Sequence, residues 1–289
     1  MHTIISVSPC RALKEYVRAF AQRKTDSSIG EVVQPVLASL ESTIEFDFGH
    51  APLIEYDTGG SEAASPISVV GPHTCRRCCI RLRGTVDAFG IFFQPLGLWQ
   101  LFRIPMDLLV DQAYAGRDVF RKDMGRLWER MADGASFEER VRLTEEYLLR
   151  YAADVVGRTA IMNSAHYLFR KQGEARIGAL AGHAALSVRQ FERRFSEELG
   201  MAPKLFARIA RYQMALDAKI TSPGRPWLNI AHEFGYHDQM HMIRDFRNLC
   251  GSTPVRALMQ LGDMRPEALA SPMNETRTPG LSAVCGLGE

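Results

Sequence analysis

The sequence predicts an α+β chain in two parts: a small N-terminal β-barrel or sandwich with helices, followed by an all-α domain. Three observations predict it. Residues from about Thr43 to Gln94 alternate apolar and polar positions in short runs cut by Gly and Pro. After Gly97 the period becomes helical, and one helical pattern then occurs twice near the C-terminus. A chain of 289 residues is long enough for two cores, and 46% hydrophobic with 24% charged residues is the balance of an ordinary globular protein.

Taking the elements in order, Ile44, Phe46 and Phe48 alternate with Glu45 and Asp47, and runs such as PISVVGP and AFGIFFQP read as further strands between tight turns. Helical segments are expected near 97–103, 117–132, 137–153 and 158–171. These boundaries give a β-rich domain over 1–115, a helical linker and candidate dimerisation region over 116–172, a helical domain over 173–265, and a disordered tail over 266–289. No basic segment with a following apolar run opens the chain, and no apolar stretch approaches about 18 residues, so a cytoplasmic protein without a membrane partner is expected.

The net charge of +2 is unevenly placed. Residues 176–265 hold 13 Lys/Arg against 8 Asp/Glu, or +5, which leaves −3 for everything else. A local basic excess is compatible with a polyanionic partner.

Six cysteines with one cluster do not form the framework of a secreted disulfide protein. The cluster, HTCRRCC at 73–79, sets His73, Cys75, Cys78 and Cys79 beside Arg76 and Arg77, soft ligands next to groups that lower a thiol pKa. An extended strand would turn Cys78 and Cys79 to opposite faces, so no metal site is expected. The same holds for HEFGYHDQMHMIRDF at 232–246. Zinc proteases carry histidines at i and i+4 around a glutamate, whereas His232 and His237 are five apart across Gly235. His237 and His241 are four apart but have no third ligand.

The repeat gives those histidines another setting. LSVRQFERRFSEELGMAP at 186–203 aligns with HDQMHMIRDFRNLCGSTP at 237–254 at an offset of 51. Ser187 falls on Asp238, Phe191 on Met242, Phe195 on Phe246, Gly200 on Gly251 and Pro203 on Pro254. Ser187 and Asp238 are N-caps, Phe191, Phe195 and Leu199 form an apolar stripe, and each glycine is a left-handed stop. A shorter helix precedes each copy, through Ile177, Leu180, Ala181 and Ala184 in the first and Leu228, Ile230, Ala231 and Phe234 in the second. Each pair of helices around a tight turn is a helix-turn-helix unit, and a helix from about Pro203 to Lys219 joins the two units rigidly.

Residues 174–262 resemble the DNA-binding domain of the AraC/XylS family of bacterial transcription regulators. The second copy carries the stronger signature, I-A-x-x-x-G-Y-x-D-Q-x-H, then R-x-F and G-x-T-P, from Ile230 to Pro254. Met240 and Met242 stand where that family usually has Ser and Phe. The strand-rich N-terminal part resembles the often cupin-like sensor half of such regulators. GTVDAFGIFFQPLGLWQLFRIP looks like a subgroup with an uncharacterised N-terminal domain.

A recognition helix enters the major groove with its first two turns. The faces opposite the apolar stripes offer Arg189, Glu192 and Arg193 in the first unit and Gln239, Met240, Ile243 and Arg244 in the second, positions that the resemblance matches to base reading. Arg suits guanine, Gln suits adenine and Ile243 suits a thymine methyl. Arg194, Arg208, Arg211 and Arg247 are expected on phosphates, and Phe46, Phe48, Phe92 and Trp99 are candidates for an effector pocket. The expected function is a sequence-specific DNA-binding regulator with no catalytic residues and no cofactor. Its expected partners are double-stranded DNA, RNA polymerase, a small-molecule effector and a second copy of the chain. The alternative is a DNA-repair or metal-dependent enzyme with an appended DNA-binding domain, for which HTCRRCC would be the reactive site.

Overall fold

A computed structural model describes residues 2–25, 29–120, 122–155, 157, 159–171 and 175–261. The tail expected over 266–289 lies outside the described residues.

Ten strands make up most of the N-terminal domain: β1 His2–Val7, β2 Val17–Thr25, β3 Ile29–Pro35, β4 Thr43–Asp47, β5 Leu53–Tyr56, β6 Ser61–Ala63, β7 Ile67–Val70, β8 Cys78–Gly84, β9 Asp87–Phe93 and β10 Ala113–Ala115. They form two antiparallel sheets, ordered β1-β2-β9-β4-β7-β10 and β3-β8-β5-β6. The two sheets are not closed into one barrel. Strands also begin earlier than Thr43, because β2 is buried along most of its length and therefore lacks the alternation that marks a half-exposed strand.

Register assigns the two faces of the larger sheet. Ile44 and Phe46 on β4 pair with Ile91 and Phe89 on β9, and these side chains join Phe20, Val69 and Phe93 in one core. That core is covered by α1 Gly97–Phe102, α3 Lys122–Ala132 and α4 Phe137–Ala152, with the short α2 Gly116–Val119 between α1 and α3. Arg140 of α4 pins the cover to the sheet. Its guanidinium donates to both Asp87 carboxylate oxygens at 2.5 and 3.1 Å and to the Gln22 side chain at 3.1 Å, and lies over the Phe48 ring at 4.1 Å.

The opposite face carries charge. Arg23 of β2 and Asp47 of β4 both pair with Ala88 of β9, and Glu45 sits two residues along β4. Burial pushes the Glu45 and Asp47 carboxyls up, Asp47 to about 7, and pushes the Arg23 guanidinium down. The sign follows directly. A carboxyl whose folded pKa lies above its unfolded value favours folding while protonated and loses that contribution as pH rises from the unfolded value to about 7. Asp47→Asn is therefore expected to raise the melting temperature of the protein at pH 8 by several degrees and to have little effect at pH 4. Equal shifts at both pH values would contradict it.

The second core is helical. It is built by α5 Ala160–Arg170, α6 Ile177–His183, α7 Val188–Leu199, α8 Pro203–Thr221, α9 Trp227–Glu233, α10 Gln239–Cys250 and α11 Pro254–Leu261. The helices expected as a linker over 116–172 are divided between the cores. Helices α3 and α4 give Met124, Leu127, Met131, Leu143 and Leu148 to the first, while α5 gives Ile161, Met162, Ala165, Leu168 and Phe169 to the second. The outward side of α4 bears Arg142 paired with Glu139 and Glu146.

Candidate nucleic-acid interface

The two helix-turn-helix units are built alike. In the first, α6 is followed by Ala185 in the left-handed region (φ 53°), and the Leu186 amide returns to the Ala181 carbonyl at 3.0 Å. In the second, α9 is followed by Gly235 (φ 67°), and the Tyr236 amide returns to the Ala231 carbonyl at 2.9 Å. Ala185 and Gly235 are 50 apart, but the N-caps Ser187 and Asp238 are 51 apart. The second turn thus holds one extra residue, His237.

Each recognition helix begins on its predicted cap. The Ser187 hydroxyl accepts from the Gln190 amide at 3.3 Å, and the Gln190 side chain accepts from the Ser187 amide at 3.1 Å, closing a capping box. Asp238 accepts from the His241 amide at 2.6 Å, and that bond, with His237 beside it, holds the Asp238 carboxyl below the usual carboxylate range. Both helices end at a left-handed glycine, Gly200 (φ 77°) and Gly251 (φ 70°). Phe191, Phe195 and Leu199 are buried on α7, and Met242, Phe246 and Leu249 on α10. Met242 fills its place completely, as an unbranched side chain can.

The remaining faces point outward. Arg189, Glu192, Arg193 and Arg194 are exposed on α7, and Gln239, Arg244 and Arg247 on α10. Met240 is 55% exposed, and Ile243 is half-buried. Arg193 lies 3.5 Å from Glu197 one turn on, an exposed pair of little strength that leaves the guanidinium available. The seven residues proposed to read bases therefore lie on two outward faces.

Two of the expected phosphate contacts also pair with a carboxylate inside the helical domain. Arg208 and Arg211 of α8 both donate to the Asp245 carboxylate of α10, at 2.9 and 3.2 Å. Arg211 also donates to the Gly235 carbonyl at 3.3 Å and lies over the Tyr236 ring at 4.5 Å. With its side chain 16% exposed, Arg211 serves the packing of α10 on α8 and not the surface. A count of basic residues cannot reveal this, because the deciding partner is a carboxylate 34 positions away. Arg194 faces a cleft of about 380 Å³ where α7 meets the N-terminal domain, lined with Glu197, Glu198, Trp99, Pro105 and Asp107. Arg247 is exposed in the last turn of α10.

The effector-pocket candidates are not gathered into one site. Phe46 is buried in the sheet core, Phe48 stacks on Trp128 at 5.7 Å, Phe92 faces the other side of the sheet, and Trp99 lies in the cleft under the Arg103 guanidinium. Aromatic residues alternating on one strand go to one face together, and here that face is core. The cysteines are also separated. Strand β8 starts only at Cys78, which is buried, while Cys79 turns outward to Glu55 at 3.8 Å. Burial pushes both thiols up, away from the reactive thiolate form. His241 packs edge-on against Tyr236 at 5.3 Å. Among the described residues no three His, Cys, Asp or Glu side chains converge as metal ligands.

Two protein-family models match parts of the chain. A helix-turn-helix domain model matches residues 180–259, spanning both units and the helix between them. Residues 180–259 thus carry an AraC-type helix-turn-helix domain, the DNA-binding module of a transcription regulator. Residues 5–115 match a second family, described as a domain of unknown function. The search of curated proteins found no match. Among solved structures, apo ToxT from Vibrio cholerae strain SCE256 is similar at 10% identity and a TM-score of 0.48, over 84% of this chain and 97% of that one. A fatty-acid-bound ToxT from the same strain gives 9% and 0.46, over 83% and 97%. The AraC-like transcriptional activator CuxR gives 14% and 0.27, over 71% and 84%. The likeness to AraC/XylS regulators rests on the double unit itself, whose signature runs from Ile230 to Pro254. Among the described residues no helix is long and apolar enough to cross a membrane.

Proposed function

We propose that this regulator reads DNA with both heads of one chain, α7 and α10 entering successive major grooves on one side of the duplex, without a catalytic step of its own. The carrying observation is the pair of capped helices, each with an outward Arg- or Gln-bearing face, set on the single helix α8. Arg189, Glu192 and Arg193 read one block, and Gln239, Met240, Ile243 and Arg244 the other. Arg194, Arg247 and the partly exposed Arg208 are the phosphate candidates, with Arg211 the most enclosed of the four arginines expected there.

A small-molecule effector acts through the N-terminal domain in this reading, and RNA polymerase and a second copy of the chain are the expected partners at a promoter. The cleft between Trp99, Pro105 and Asp107 and the α7 residues Arg194, Glu197 and Glu198 supports the effector part, because a molecule seated there touches the first head directly. Selecting bound sequences from a random DNA pool with the purified chain tests the DNA reading. Enrichment of a motif in two short blocks is expected, and an unenriched pool would overturn it.

A further inference from the structure

The N-terminal domain touches the rear of both heads at equivalent places. Gly200, which stops α7, lies against the short 3₁₀ turn Met106–Leu108, so that a Cβ there would come 2.6 Å from the Met106 carbonyl oxygen and 3.3 Å from the Val110 Cβ. At the end of α10 the Leu249 carbonyl, left without a partner inside its own helix, accepts from the Arg76 amide at 3.0 Å. Gly251, the repeat equivalent of Gly200, has the Arg76 Cδ as its neighbour, 3.8 Å from where a Cβ would stand. Between the heads, Gln213 of α8 accepts from the Leu40 amide and donates to the Ser39 hydroxyl, both at 3.1 Å.

One residue ties the two end contacts together. Asp111 directly follows Val110, and its carboxylate accepts from the Thr74 amide at 2.7 Å, the Thr74 hydroxyl at 2.6 Å and the Arg77 guanidinium at 3.2 Å. Those groups flank Arg76 in the HTCRRC segment. The Asp111 backbone is itself left-handed (φ 57°), and its amide donates to the Pro72 carbonyl at 2.9 Å. The segment that seats the first head therefore also holds the loop that caps the second.

We propose that Asp111 is a positioning residue for DNA recognition: through the 106–111 segment and the 73–77 loop it forms a yoke that fixes the separation and angle of α7 and α10, and so makes the protein selective for the spacing of its two DNA blocks. The yoke leaves the reading faces uncovered, so it acts on geometry rather than by masking. The inference rests on the reading of α7 and α10 as recognition helices. One inserted base pair moves the second groove by about 3.4 Å and turns it by about 34°, a change that a fixed pair of heads does not follow.

The test measures the affinity of the full chain for its selected site and for the same site with one base pair inserted or removed between the blocks. The parent is expected to prefer the selected spacing roughly tenfold or more. Asp111→Ala should reduce that preference to about threefold or less, while base preference within each block stays unchanged. Arg77→Gln, at a side chain 55% exposed and therefore tolerant of change, should shift the ratio in the same direction and decides the matter if Asp111→Ala melts early. Asp111→Asn keeps an acceptor for Thr74 and the left-handed backbone, and should retain most of the preference. Folded Asp111→Ala and Arg77→Gln proteins with the parent's spacing ratio would overturn the yoke. A failure of the underlying reading would look different, as a parent with no two-block site at all.

Discussion

Arg193→Ala and Arg244→Ala proteins are each expected to lose about 1 to 3 kcal/mol of binding to the selected DNA site and to relax base preference in one block only. Both arginines are exposed on the outward faces of their helices, 51 positions apart in the repeat, so each tests one head without disturbing the other. Neither supports a core: the partner of Arg193 is Glu197 on its own helix, and Arg244 Nε donates to the Met240 carbonyl at 3.3 Å within its own helix. Melting temperatures should therefore stay near the parent value. The salt dependence of binding distinguishes this from loss of a phosphate contact, for which affinity falls on all sequences alike and the slope against log salt drops by about one. Arg194→Ala and Arg247→Ala are the comparison pair. Retained affinity and retained preference in both head variants would remove these helices as readers.

The second large effect is on stability. Asp245 is buried, its side chain 7% exposed, and receives Arg208 and Arg211 from α8. Asp245→Ala leaves the mostly buried Arg211 cation without its counterion, and removing one partner of such a pair typically costs about 3 to 5 kcal/mol. The partial exposure of Arg208 puts the expected value at the lower end, about 3 kcal/mol, visible as an early melting transition of the helical domain. Arg211→Ala should behave similarly, since it also removes the contact over Tyr236 and the bond to the Gly235 carbonyl. Arg247→Ala, exposed on the same helix, should change stability by less than about 0.5 kcal/mol. An Asp245→Ala protein as stable as the parent would show that α10 is held by apolar contacts such as Phe246 against Tyr212 of α8 and Trp227 of α9.

Local signals made the heads legible. Caps, stripes and stops act within four residues of one another, so Ser187, Phe191, Phe195 and Gly200 announce a helix and its buried side without tertiary information. Of the earlier helices, 97–103, 137–153 and 158–171 became α1, α4 and α5 with ends shifted by up to two residues, whereas the single helix expected over 117–132 is divided into α2 and α3, α2 ending at the extended Phe120. Long-range facts were not legible. That α3 and α4 cover the sheet while α5 joins the helical core depends on which apolar stripe meets which surface. The role of Arg211 depends on Asp245. The use of HTCRRC depends on a backbone amide, and no side-chain chemistry marks Arg76 as the cap of Leu249. The one-residue difference between the two turns was hidden because an offset fitted to α7 and α10 does not carry back through the turn to α6 and α9.

Hydroxyl-radical footprinting of the full chain on its selected DNA tests two-headed reading by one chain most directly. At protein concentrations where one chain binds per site, protection is expected in two short blocks on one side of the duplex, about ten base pairs or one helical turn apart, with Arg193→Ala weakening one block and Arg244→Ala the other. A single protected block, or two blocks that appear only when a second chain binds, would contradict it.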